Sequence, residues 1–158
     1  MSLNDGILAA FLQDHQVPES ITIPFFEAEK KLTRISALCM QGGNNPVVVE
    51  VAEKLDRAEI SLAAFLDSRK GLRFFSGFRE VNAAMAGMAG EFYFIAGSAD
   101  TPNAKYLLEA VGRLERASAL TKDPSKREAW AMKQEQAFAL MRQVLLSNSS
   151  APLLTTAL

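Results

Sequence analysis

The chain has 158 residues, 49% of them apolar and 22% charged, with 17 Lys and Arg against 18 Asp and Glu. That length and balance fit one globular domain with a buried core and exclude a disordered or fibrous chain. The near-neutral charge argues against a polycation that wraps nucleic acid, so any such role would fall to a local basic patch.

The first element is a short amphipathic helix over 3–13, with Ile7, Leu8, Phe11 and Leu12 on one face and Asn4 or Asp5 as its cap. The segment Val17 to Pro24 carries two prolines and is expected to be extended. A second helix is predicted over 24–40, where Phe25, Ala28, Leu32, Ile35 and Cys39 recur at alternating spacings of three and four. Gly42 and Gly43 stop it, and Asn45-Pro46 starts a third helix carrying Val48, Val51, Leu55, Ala58, Leu62 and Phe65. These two helices form a long antiparallel hairpin, about 24–40 and 46–74.

The arms of that hairpin are unequal, roughly 25 Å and 40 Å at 1.5 Å per residue. The far end of the third helix is therefore expected to overhang its partner. The N-terminal helix, a later helix or a second chain must cover it.

The chain then bends near Ser76-Gly77, and a fourth helix is predicted over 79–96 with Val81, Met85, Met88, Phe92 and Ile95 as its apolar stripe. Thr101-Pro102 starts a fifth, with Leu107, Val111, Leu114 and Ala117 inward. Asp123-Pro124 starts a sixth to about 147, with Ala131, Gln134, Phe138, Met141 and Leu145 on one side and Trp130 one position off that stripe. Residues 1–147 read as a single α-helical domain. Residues 148–158 read as a flexible or docking tail. The expected fold is all-α, a bundle of five or six helices built on the hairpin.

The chemistry available to this chain is narrow. One cysteine, Cys39, permits no intramolecular disulfide, and its place at a helix C-terminus disfavours a thiolate. One histidine, His15, sits in a polar turn and is expected to be solvated. Together they are too few for a zinc site, and Glu-x-x-His di-iron motifs are absent. No phosphate-binding glycine loop occurs. The carboxylates Glu27, Glu29, Glu50, Glu53, Asp56 and Glu59 read as solvated helix faces, with Glu50–Lys54 and Glu53–Arg57 as i,i+4 pairs. No catalytic residue, metal or cofactor is assigned. Met1 to Gly6 has no cationic region, and the window 81–97 is short for a membrane span and contains Asn82 and Glu91. A soluble, cytoplasmic protein is expected.

Two features carry the functional expectation. Arg69, Lys70, Arg73 and Arg79 alternate with Phe74, Phe75 and Phe78 at the overhanging end of the third helix, as anchors and steering charges for a partner. The alternative is that the phenylalanines are core and the cations lie around them. On the fourth helix, Ala83, Gly87 and Gly90 allow close approach of a backbone, either a second subunit or a neighbouring helix of the same bundle. The reading that follows is a non-enzymatic protein-binding module: an adaptor, inhibitor or assembly factor acting through helix surfaces, or as a homodimer. The alternatives are nucleic-acid binding through the Arg69–Arg79 segment, and a helical-bundle enzyme or small-ligand carrier.

Overall fold

A computed structural model describes residues 3–38, 46–69, 71, 75–99 and 101–157. Among them are six helices and no strand: α1 (Leu3–Asp14), α2 (Glu19–Leu38), α3 (Pro46–Ser68), α4 (Ser76–Gly97), α5 (Ala104–Leu120) and α6 (Pro124–Ala157). The expected all-α bundle is what the chain forms. The Gln41–Asn45 turn and Cys39 lie outside the described residues.

α4 is the centre. Val81, Ala83, Met85, Ala86, Met88, Ala89, Phe92, Tyr93 and Ala96 are all buried, so this helix is covered on most of its circumference. Such a helix needs small residues wherever a neighbour crosses closely. A Cβ on Gly90 would stand 2.7 Å from Leu114 Cγ of α5, and one on Gly97 would stand 2.7 Å from Leu107 Cγ. A Cβ on Gly87 would enter the Trp130 indole of α6. The hairpin seam holds as well: Phe25 and Ala28 of α2 and Val48, Val51, Leu55, Ala58 and Leu62 of α3 are buried.

Three element boundaries differ from the sequence reading. α2 begins at Glu19 rather than Pro24, because the Pro18 carbonyl accepts from the Ile21 and Thr22 amides and Ile21 is buried. Pro24 therefore sits inside the helix, and burial of Ile21, Phe25 and Ala28 offsets its missing N–H. α3 ends at Ser68, so the arms have 20 and 23 residues and the expected length mismatch is small. α5 is capped by Asn103, not Thr101: Asn103 Oδ1 accepts from the amides of Lys105 at 2.9 Å and Tyr106 at 3.3 Å.

The sixth helix differs in register and length. Ala137 and Met141 are buried, Trp130 is half-buried, and Phe138 and Leu145 are each 47% exposed. The helix is rotated from the expected stripe because the Trp130 ring seats against Gly87. The segment read as a tail continues α6 as helix to Ala157.

α1 covers the start of α4, beside the end of α3. Its C-terminus closes with two reversed bonds, Val17 N to Leu12 O and Gln16 N to Gln13 O, with Gln16 in the left-handed region at φ 54°. That turn delivers Phe11 and His15 to Phe78: their ring centroids lie 4.6 Å and 5.4 Å from it. Phe65 of α3 joins the cluster at 6.3 Å from Phe78.

The start of α4 fastens the turn between α5 and α6. Glu80 accepts from the buried Thr121 hydroxyl and from the Lys122 amide, both at 2.8 Å. Arg127 donates to the Thr121 carbonyl at 2.7 Å, and Asp123 caps α6 through the Ser125 and Lys126 amides. Among the described residues no helix is long and apolar enough to cross a membrane.

Candidate functional site

On α3, Asp56, Glu59, Ile60 and Ala63 fall at i, i+3, i+4 and i+7, which places them on one face. On α5, Gly112, Arg113 and Arg116 form the matching face. Together these seven residues line a groove of ≈ 470 Å³ above α4. Asp56 meets Arg113 and Glu59 meets Arg116, a step of three residues on both helices, so α3 and α5 run parallel.

The polar groups of the groove are largely engaged with one another. Arg113 donates Nε to Asp56 Oδ1 at 2.9 Å and Nη2 to Oδ2 at 2.7 Å, a bidentate pair. Its Nη1 donates to the Glu109 carboxylate, and its guanidinium lies over the Tyr93 ring, 4.7 Å from the centroid. Tyr93 of α4 donates its hydroxyl to Asp56 at 3.2 Å. Desolvation, and then the Asp56 charge, push the Tyr93 phenol up to about 12. The Asp56 hydrogen bond raises the Arg113 pKa and holds the guanidinium charged. Glu59 is largely buried; desolvation raises its carboxyl above the ordinary value, and the Arg116 charge opposes that shift. With three donors on its two oxygens, Asp56 is held as a fixed acceptor rather than a free base.

The apolar part of the groove is different. Ile60 is 71% exposed, and Ala63 and Gly112 are exposed beside it. A Cβ on Gly112 would meet nothing within 4 Å. Gly112 therefore has no neighbour that demands a glycine, unlike Gly87, Gly90 and Gly97. One turn earlier on α5, Leu108 is 58% exposed.

In its described residues, the segment singled out from sequence does not present one surface. Phe78 is core, 1% exposed. Phe75 is half exposed and packs toward His15, with ring centroids 5.4 Å apart. His15 is thus set among Phe11, Phe75 and Phe78 rather than simply solvated. Arg69 lies over the Phe65 ring at 5.5 Å, while Arg79 donates Nε to the Leu120 carbonyl at 2.6 Å and so satisfies the end of α5. Lys70, Arg73 and Phe74 lie outside the described residues. The face proposed for a dimer is filled within the chain: Ala83 is buried, Gly87 holds Trp130 and Gly90 holds Leu114.

Asp56 and Glu59, read from sequence as part of a solvated face, instead reach α5. The signal was present: two acids at i, i+3 and two arginines, Arg113 and Arg116, at the same spacing. The Glu50–Lys54 pair forms as expected at 3.4 Å. Among the described residues no three His, Cys, Asp or Glu side chains gather as metal ligands. Comparison with known proteins finds no matching family model, curated protein or solved structure.

Proposed function

We propose that this chain is a non-enzymatic protein-binding module, an adaptor, inhibitor or assembly factor, that contacts its partner through the α3/α5 groove. The observation that carries this reading is Ile60, 71% exposed beside a helical glycine with open space above it. A glycine within a helix costs about 1 kcal/mol relative to alanine. Gly112 incurs that cost with no packing reason among the described residues, and it leaves the α5 backbone open to approach. The flanking ion pairs set a polar rim around an apolar centre, as protein interfaces require.

A photoreactive residue at position 60, introduced in the native host, tests this. Covalent protein adducts are expected from position 60 and not from position 128, which is exposed on α6. Equal labelling from both positions, or none from position 60, would sink the proposal.

A further inference from the structure

We infer that the cleft beside Trp130, between α2 and α6, is a binding site for a small aromatic carboxylate, with the ligand ring against the indole and Met88 and its carboxylate on Lys126. This site is separate from the α3/α5 groove and shares no lining residue with it.

The cleft follows from how three helices present their side chains. Ala84 and Met88 of α4, Lys126 and Trp130 of α6, and Glu29 and Thr33 of α2 are each four residues apart, so each pair lies on one face of its helix. Leu32 of α2 and Leu8 of α1 complete the lining. Each glycine of α4 is closed by a side chain from another helix: Gly77 by Phe11, Gly87 by Trp130, Gly90 by Leu114 and Gly97 by Leu107. Ala84 instead fronts the cleft, which holds ≈ 170 Å³. A dry space of about 150 Å³ accepts one benzene ring.

The lining selects the ligand. Trp130 offers an indole held in place over Gly87, and Met88 offers a thioether; both favour contact with an aromatic ring. Leu8 and Leu32 add apolar surface. Lys126 is partly buried, and its ammonium joins none of the ion pairs among the described residues. Glu29, on the α2 wall, is already engaged. A carboxylate on an aromatic body answers both parts of this lining. A plain hydrocarbon leaves Lys126 unpaired, and a cationic ligand is repelled by it.

Trp130 is the only tryptophan, so the chain gives one indole N–H resonance in a proton–nitrogen NMR spectrum. Titrating the full chain with phenylpropionate should shift that resonance in a saturable way. Phenylpropanol should bind about fivefold more weakly, and phenylpropylamine more weakly still. Lys126→Gln should weaken phenylpropionate about fivefold and bring it level with phenylpropanol, while the melting temperature stays unchanged. Ala84→Leu fills the cleft and should abolish the shift. Ile60→Asp, in the α3/α5 groove, should leave it intact.

An indole resonance unmoved by phenylpropionate up to roughly 10 mM, the reach of a ligand of this size, overturns the inference. So does equal affinity for the carboxylate and the amine, or a Lys126→Gln chain that binds phenylpropionate as tightly as the native chain. If Ala84→Leu fails to fold, the Lys126→Gln comparison decides alone. None of these outcomes touches the α3/α5 reading, which labelling from position 60 tests separately.

Discussion

Gly87 and Gly112 are the same residue type, each inside a helix, and alanine should affect them in opposite directions. At Gly87 the new methyl enters the Trp130 ring, so Gly87→Ala forces α6 off α4 and should destabilise the fold by about 1–3 kcal/mol. At Gly112 the methyl meets open space, so Gly112→Ala gains helix propensity and should stabilise the monomer by about 0.5–1 kcal/mol. Chemical denaturation of the two variants checks both signs. The difference is invisible in the sequence, where both are glycines in amphipathic helices. A glycine's role depends on what crosses it, and that belongs to a neighbouring element. For the same reason Phe78 and Phe75 read alike from sequence, yet one is core and the other half exposed.

At the scale of elements, one cluster ties three helices. Asp56 of α3 accepts from Tyr93 of α4 and Arg113 of α5. Tyr93 holds its proton up to about pH 12 in the folded chain. An unfolded tyrosine releases it near pH 10. The folded state therefore keeps the full contribution below about pH 10 and loses it progressively as pH rises from there to the folded value. Denaturation midpoints across pH 9 to about 12 should fall more steeply for the native chain than for Tyr93→Phe; parallel curves would contradict the cluster.

Helix positions were largely legible, because the spacing of Val48, Val51, Leu55, Ala58 and Leu62 or of Leu107, Leu114 and Ala117 fixes a buried face. The cap at Asp123-Pro124 was legible, whereas Thr101-Pro102 fell two residues short of the Asn103 cap. Register was not legible on α6. There a choice of one position, 100° of rotation, turned on whether Trp130 or Phe138 faces α4. The candidate groove was missed because its acids and arginines lie 57 residues apart along the chain. Their equal spacing has meaning only once α3 and α5 are known to flank α4.

Across the whole molecule, α1 closes the corner at the start of α4, beside the end of α3. Leu8 and Leu12 are buried, and Phe11 packs its ring against Gly77 and Phe78. The N-terminal helix thus completes the core rather than decorating it. Phe11→Ala should cost about 2–4 kcal/mol, with secondary structure largely kept at low temperature. Circular dichroism melts measure this, and a melting temperature unchanged from the native chain would show that α1 contributes nothing there. The basic and aromatic stretch after α3 is then, in its described residues, divided between this corner and the end of α5.

Trp130 is the chain's only tryptophan, and it is wedged on the bare backbone of α4 at Gly87. That makes the protein its own optical probe. The indole lines a cleft together with Leu8, Glu29, Leu32, Thr33, Ala84, Met88 and Lys126, and none of these lines the α3/α5 groove. Lifting α6 hydrates the ring and moves its emission to longer wavelength. Filling the groove leaves its surroundings intact. A single fluorescence trace therefore separates loosening of the bundle from occupation of the α3/α5 groove.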